Sequence, residues 1–232
     1  MRVIGSYLSP YVRKVLACLE LKGLAYEIDP ITPFMGDDRF TALSPLRRVP
    51  VLIDDRVTLA DSSVICQYLE DRYPVPALYP ADVADRARAR WLEEYADSRM
   101  GDVFIWGLYN HAVIEPYVWN KPRDLAAIQR IVAEDVPPVL DYLETQLPAD
   151  GFLFGTLGTA DISIAVFLRN AAFARYKVDV TRWPRTAGFV DRVLAQDCLA
   201  KLQPFEAVML RTPIAEHRAA LAAAGAPVSA ET

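Results

Sequence analysis

Three closely spaced prolines, Pro74, Pro76 and Pro80, divide the sequence into two parts with different hydrophobic patterns. Because proline lacks a backbone N–H and cannot continue a helix, this stretch predicts a stiff connector between two domains. Short β-prone stretches alternate with helical periodicity before the connector, whereas the pattern after it is helical throughout. The predicted divisions are an α/β domain at residues 1–79, an all-α helical-bundle domain at residues 80–216, and an alanine-rich, partly disordered tail at residues 217–232.

Local patterns set the order of elements in the first domain. Apolar residues recur at helical spacing from Val12 to Leu19, directly after the first β-prone stretch. The run Asp54-Asp55-Arg56 lies between two short apolar stretches, which is typical of a hairpin. The predicted segments are strands at 2–6 and 25–31 with a helix between them, a hairpin at 51–59, and a helix at 62–73.

Composition excludes several classes of protein. A hydrophobic fraction of 53% suits a globular chain, and a net charge of −5 argues against nucleic acid or an anionic membrane as the main partner. The N-terminus lacks the apolar core of a signal peptide, and no apolar run is long enough to cross a membrane. The three cysteines form no C-x-x-C pair and the two histidines lie far apart. We therefore expect a cytoplasmic protein without a metal site.

Ser9-Pro10 stands where the first strand turns into the first helix. The simpler interpretation is structural, since serine is a good helix N-cap and proline a good first helical residue. The same position also suits chemistry, because unpaired N–H groups and the positive end of the helix dipole stabilise an anion there. A serine hydroxyl that donates to a bound thiol would increase the fraction of reactive thiolate.

Two further motifs suit the recognition of a small peptide. Val49-Pro50 precedes a short strand, where a trans proline would simply begin the strand and a cis proline would leave the Val49 backbone free to pair with an extended ligand. Asp61-Ser62 opens a helix and is either an N-cap or a site for the carboxylate and ammonium groups of a free amino-acid end.

The order of these motifs resembles the N-terminal domain of cytosolic glutathione S-transferases. The resemblance rests on "SPYVRKV", "LRRVPVL" and "ADSS", and it extends over almost the whole chain. It implies a thioredoxin-like fold for the first domain and a serine-type enzyme. The implied roles are Ser9 as the thiol-activating residue, Val49 and cis Pro50 as the contact for the cysteinyl backbone of glutathione, and Asp61 and Ser62 as the γ-glutamyl contact.

The sequence departs from the family pattern at several of these positions. Asp61 replaces the usual glutamate, and Arg47 stands where glycine is common. Arg48 occupies a position that is often lysine, where it either contacts the glycyl carboxylate of glutathione or is a solvated loop charge. Serine rather than cysteine at position 9 argues against a thiol-disulfide mechanism.

Large apolar residues near the motifs and in the helical domain are candidates for a second-substrate pocket, although helical stripes of this kind more often form a core or a dimer interface. Asp161 follows Gly158 at capping-box spacing, which predicts a folding residue whose partner half of the box is missing. The pocket candidates are Tyr7, Tyr11, Tyr95, Met100, Trp106 and Tyr109.

The resemblance implies a glutathione transferase in which the bound thiolate attacks an apolar electrophile without a metal. A homodimer is the family expectation. Glutathione peroxidase, isomerase or dehalogenase activity on the same fold remains an alternative. So does a non-catalytic module that binds a protein partner.

Overall fold

The computed structural model describes residues 1–230, except for the side chain of Pro33. Two compact units make up the chain, Met1–Leu78 together with Gln196–Thr232, and Tyr79–Ala195. The first unit contains a four-stranded sheet, and the second is helical. The predicted α/β fold followed by a helical region is thereby confirmed.

The sheet of the first unit has the strand order β2-β1-β3-β4. β1 pairs with β2 in parallel and with β3 antiparallel, and β3 pairs antiparallel with β4. This is the predicted βαβ unit followed by a hairpin and a helix. The elements are β1 Arg2–Gly5, α1 Pro10–Leu21, β2 Glu27–Pro30, a 3-10 turn Pro33–Met35, α2 Asp38–Leu43, β3 Val51–Ile53, β4 Thr58–Leu59 and α3 Ser62–Arg72.

Helix α1 is buried on every side from Val12 to Leu19, so its charged residues need partners inside the unit. The Arg13 guanidinium lies 3.4 Å from the Glu206 carboxylate and donates to the Tyr7 carbonyl. The Lys14 ammonium donates to the Ser63 hydroxyl at 3.0 Å, which joins α1 to the first turn of α3. The Lys14–Ser63 bond thus fixes how α1 and α3 approach each other.

A staple of side chains ties the hairpin to the C-terminal end of α3. Asp54 accepts hydrogen bonds from the backbone N–H groups of Arg56 and Val57, from the Tyr68 hydroxyl, and from Arg72 at 2.5 Å. Burial opposes the charge on Asp54, but these hydrogen bonds outweigh it and lower its pKa to about 2.

The second unit is helical from Val83 to Leu194, with short irregular connections. Pro80 and the preceding residues form the turn that leads into it. The helices are α4 Val83–Tyr95, a π-helical segment Ala96–Ile114, α5 Glu115–Val118, α6 Leu125–Arg130, a second π-helical segment Ile131–Asp135, α7 Val136–Gln146, α8 Thr159–Phe173 and α9 Pro184–Leu194.

Asp161, 1% exposed, closes the N-terminus of α8. Its carboxylate accepts hydrogen bonds from the backbone N–H groups of Leu153 at 2.8 Å and Gly158 at 2.9 Å. Burial raises the pKa of Asp161 to about 6, in spite of these two bonds. The predicted half of a capping box is therefore present, because Asp161 accepts from the N–H of the N-cap residue Gly158.

The chain returns to the first unit after Ala195. Helix α10 packs against α1, and Ile28 of β2 forms a parallel bridge with Val228. Arg218 donates to the Ser229 carbonyl and to the Asp29 carboxylate. The helices of this return are α10 Asp197–Ala200, α11 Gln203–Arg211 and α12 His217–Ala223.

This return differs from the predicted division, which assigned residues up to 216 to the helical domain and 217–232 to a tail. The physical reason is long-range packing, since Glu206 pairs with buried Arg13 and the Phe205 ring lies 5.1 Å from the Tyr7 ring. Glu231 and Thr232, the end of the predicted tail, lie outside the described residues.

Candidate functional site

The predicted site residues lie on connections that leave one end of the sheet. β1 and β3 run antiparallel with Ile4 opposite Val51, and β3 and β4 with Leu52 opposite Leu59. β1 therefore ends, β3 begins and β4 ends at the same side. The residues carried there are Ser9 after β1, Val49 and Pro50 before β3, and Asp61 and Ser62 after β4.

Ser9 is the N-cap of α1, with extended backbone. Its Oγ accepts a hydrogen bond from the backbone N–H of Val12 at 3.4 Å. No other bond of this oxygen is formed among residues 1–230, so the hydroxyl hydrogen remains available to a ligand. Because the dipole of α1 is positive at this end, a thiolate beside Ser9 would gain both a hydrogen bond and a favourable field.

The Val49-Pro50 peptide bond is cis, which is the isomer that the family resemblance implies. Within the described part of the chain, neither the N–H nor the C=O of Val49 bonds to another residue. This leaves a donor and an acceptor next to the start of β3. Such a pair matches the backbone of an extended peptide, in the manner of an added strand.

The N-terminus of α3 has a local cap and one unused hydroxyl. The Asp61 carboxylate accepts from the Val64 N–H at 3.0 Å, and its side chain is otherwise exposed. Ser62 is buried, and its hydroxyl bonds to none of the described residues. The ammonium of buried Lys14, bonded to Ser63 Oγ, adds positive charge behind this turn. The turn therefore suits an anionic group.

Arg48 is exposed, and its guanidinium makes no hydrogen bond or ion pair within residues 1–230. Its backbone is held firmly, because Ser44 Oγ accepts from the Arg48 N–H at 3.0 Å and donates to the Arg48 carbonyl at 2.8 Å. The backbone is thus fixed while the side chain can reach a carboxylate.

Sequence reasoning missed the structural roles of two residues that shape this segment. Ser44 is fully buried and bonds to both backbone groups of Arg48. The Arg47 side chain donates hydrogen bonds to the Gly36 carbonyl and to the Thr41 hydroxyl. The Ser44-Pro45 pair was a turn signal that pointed to Ser44. Nothing in the local pattern pointed to the side-chain bonds of Arg47.

Half of the predicted pocket residues are buried. Tyr7 and Met100 have no exposed surface and Tyr109 has 5%, so these three side chains lie in the protein core. The Tyr7 ring packs on Phe205, its hydroxyl lies toward Tyr26, and burial raises its pKa. The other candidates keep exposed surface: Tyr11 and Tyr95 are partly exposed, and Trp106 is 51% exposed.

No helix of the described residues, 1–230, is both long and apolar enough to cross a bilayer. No group of three or more His, Cys, Asp or Glu side chains in the same residues could hold a metal ion.

Comparison with known families matches both parts of the chain. Residues 3–77 match the model described as "Glutathione S-transferase, N-terminal domain". Residues 123–192 match "Glutathione S-transferase, C-terminal domain". The first match contains Ser9, Val49, Pro50, Asp61 and Ser62, which together form the sheet-end site.

Individual proteins resemble the chain over most of its length. An uncharacterized GST-like protein, YibF of Escherichia coli, is 30% identical over 88% of this chain and 98% of its own length. A maleylacetoacetate isomerase of Pseudomonas aeruginosa is 30% identical over 88% of this chain and 96% of its own. The crystal structure of a glutathione S-transferase from Rhodospirillum rubrum superposes with a TM-score of 0.79 at 28% identity, covering 87% of this chain and 90% of that one.

Proposed function

The chain belongs to the glutathione S-transferase family of enzymes, and we propose that it binds glutathione at the sheet-end site and activates its thiol through Ser9. The observation that carries this proposal is the meeting of three features at one end of the sheet. They are the hydroxyl of Ser9 at a helix N-terminus, the unpaired backbone of Val49, and the unused hydroxyl of Ser62.

In this proposal the tripeptide lies across the three connections. The backbone of Val49 pairs with the cysteinyl residue, which carries its sulfur toward Ser9. The first turn of α3 binds the γ-glutamyl carboxylate, and Asp61 pairs with the neighbouring ammonium. Arg48 contacts the glycyl carboxylate, for which a guanidinium fork is well suited.

The chemistry follows from the position of Ser9. Its hydroxyl already accepts from the Val12 N–H and donates its own hydrogen to the sulfur, so the thiol loses its proton to solvent more readily. The thiolate then forms a carbon–sulfur bond with an apolar electrophile and displaces the leaving group as an anion. Protein groups here supply orientation and a stabilised thiolate.

Ser9→Ala tests the proposal directly. With glutathione and a chloronitrobenzene, we expect kcat/KM to fall about 100-fold, or about 2.7 kcal/mol in the barrier. The pH at which the rate is half-maximal should rise as well, since the thiolate loses a hydrogen bond. Ser6→Ala is the matched control, because the Ser6 hydroxyl contacts Leu8 and Met209 instead. A loss within about twofold for Ser9→Ala would contradict the assigned role.

Isomerisation is the second candidate function, favoured by the similarity to a maleylacetoacetate isomerase over 88% of this chain. Addition of the thiolate to a double bond, rotation, and elimination would return glutathione unchanged. Stoichiometry separates the two reactions, because transfer consumes one glutathione per product and isomerisation consumes none. Loss of free thiol during turnover of a cis unsaturated diketo acid would exclude isomerisation.

Glutathione binding separates an enzyme from a non-catalytic module. At about 100 times its dissociation constant, a ligand adds about 2.7 kcal/mol of stability, which raises the melting temperature of a chain of this size by several degrees. A flat melting curve up to millimolar glutathione would favour the module.

Cytoplasmic location and a homodimer complete the proposal. Both are supported by membership of the family rather than by a contact in the chain. Light scattering coupled to size exclusion measures the oligomeric state, and a monomeric mass at micromolar concentration would contradict the dimer.

A further inference from the structure

Arg47 has a backbone conformation that arginine rarely adopts. Its φ is +52°, in the left-handed region that glycine occupies most easily. The residue also closes a tight turn, because its N–H donates to the Ser44 carbonyl at 2.7 Å. Glycine would adopt this backbone conformation without strain. The backbone therefore gives no reason for an arginine at this position, and the reason lies in its side chain.

The guanidinium of Arg47 holds two points of the preceding segment. One nitrogen donates to the Thr41 hydroxyl at 2.5 Å and the other to the Gly36 carbonyl at 2.6 Å. Thr41 Oγ1 in turn donates to the Asp37 carbonyl, so the hydroxyl both donates and accepts. The planar fork of arginine can bind both acceptors at once, which a single ammonium nitrogen does less well.

The segment that Arg47 closes is anchored from the inside as well. Phe40 is buried, and a side chain at Gly36 would collide with its ring at 2.3 Å. Ser44 is buried and holds both backbone groups of Arg48. Arg47 thus holds the exposed side of the segment from Gly36 to Arg47, whose buried side is already packed.

We propose that Arg47 is a positioning residue for glutathione: its guanidinium clamps residues 36–47 and thereby presents Arg48 and Val49 to the tripeptide. The inference rests on the proposed function. When the binding-competent loop is only partly populated, the apparent dissociation constant rises in inverse proportion to that population. The clamp therefore acts on glutathione affinity and leaves the thiolate chemistry unchanged.

Four variants separate the clamp from charge and from backbone strain. Arg47→Gly removes the clamp but suits the positive φ, and Arg47→Lys keeps the charge with one nitrogen in place of the fork. Thr41→Val removes one acceptor at nearly constant volume. Arg39→Ala is the control, since it removes an exposed arginine of the same segment that makes no hydrogen bond or ion pair within residues 1–230.

The measurements are glutathione affinity by calorimetry, KM and kcat, and hydrogen exchange of the 36–48 segment without ligand. We expect Arg47→Gly and Arg47→Lys to raise the glutathione dissociation constant and KM about fivefold with kcat unchanged. Exchange in the segment should become faster, and the melting temperature of Arg47→Gly should remain near the wild-type value. Thr41→Val should show a smaller effect, which disappears when Arg47 is already glycine.

Wild-type affinity and exchange in Arg47→Gly would overturn the inference. Full recovery in Arg47→Lys, or an equal loss in Arg39→Ala, would assign the effect to charge and overturn it as well. If the wild-type chain itself fails to bind glutathione, the proposed function and the binding role of Arg47 both fall. Hydrogen exchange would then still decide whether the clamp exists.

Discussion

Two helices in each unit differ in how their N-termini are closed. In the first unit, α1 and α3 are capped by their own N-cap side chains, Ser9 and Asp61, each of which accepts one backbone N–H. In the second unit, α4 and α6 have local caps of the same kind, but α8 and α9 receive a carboxylate from outside the N-cap position. Asp161 does this for α8. Glu144 of α7 does it for α9.

The difference separates helix ends that stabilise the fold from helix ends that can bind a ligand. A helix N-terminus that has received a protein carboxylate is satisfied and rigid, whereas one with a minimal local cap keeps donors for a ligand. The first unit also has a structural carboxylate, Asp54, but places it at the C-terminal end of α3. The end of α3 that carries Ser62 stays open to a ligand.

The largest expected effect is on Asp161. Asp161→Ala leaves the Leu153 and Gly158 N–H groups without their buried acceptor, so we expect a loss of about 3 kcal/mol in unfolding free energy. The melting temperature should fall by about 6–12 °C. Asp150→Ala, an exposed acid in the same connection, should change it little. An equally small effect at Asp161 would remove the contrast between α8 and the two helix ends of the candidate site.

Glu144→Gln should have the next largest effect. The carboxylate accepts from the N–H groups of Arg185 and Thr186 and from the Thr186 hydroxyl. Although burial opposes its charge, these bonds lower the pKa of Glu144. A glutamine places an amide NH2 against one of the donors, so we expect a loss of about 2 kcal/mol in urea unfolding. Glu94→Gln, on an exposed position of α4, is the control. Glutathione affinity should stay at the wild-type value in both.

Ser62→Ala should show the opposite pattern. We expect glutathione affinity to fall about tenfold, or about 1.4 kcal/mol, because the ligand carboxylate loses a buried hydroxyl. Unfolding free energy should change by less than about 0.5 kcal/mol, since no described residue bonds to that hydroxyl. Ser98→Ala, an exposed hydroxyl in the second unit, serves as control. Loss of stability without loss of affinity would place Ser62 among the structural residues.

Asp54→Asn should give the smallest effect, and pH should tune it. The pKa of Asp54 lies at about 2 in the folded chain and at its ordinary value of 3.8 when unfolded. The ionised group therefore stabilises the fold above about pH 4, and this contribution disappears as pH falls through about 2. We expect the wild type to exceed the variant by about 1 kcal/mol at pH 6 and by about half of that at pH 3. A difference that grows toward acid would contradict the staple.

Local sequence signals predicted most of the elements of the first unit. Ser9-Pro10 begins α1 and Asp61 caps α3, because each feature depends on a few neighbouring residues. The cis Val49-Pro50 bond followed from the family resemblance, since the residues alone left cis and trans open. The order of elements followed from hydrophobic periodicity for the same reason. The assigned chemical roles of these residues stay predictions until glutathione binding is measured.

Contacts between distant residues were beyond the reach of the sequence. Glu144 lies about 40 positions before Thr186, which it binds at the start of α9. Glu206 lies nearly 200 positions after its partner Arg13. Hydrophobic periodicity carries no information on such pairs. The burial of Tyr7 depends on Phe205 in the same way. The return of the C-terminal helices to the first unit is the sum of these contacts.

The return of the C-terminal segment also limits the pairing of another chain with the edges of the sheet. The Ile28 N–H donates to the Pro227 carbonyl, and the Ser229 N–H donates to the Ile28 carbonyl, so the outer ladder of β2 is occupied by the protein's own backbone. The opposite border is β4, which is only 2 residues long. Neither border therefore offers a long free strand with which another chain could pair. The segment around Val228 protects the β2 edge by covering it.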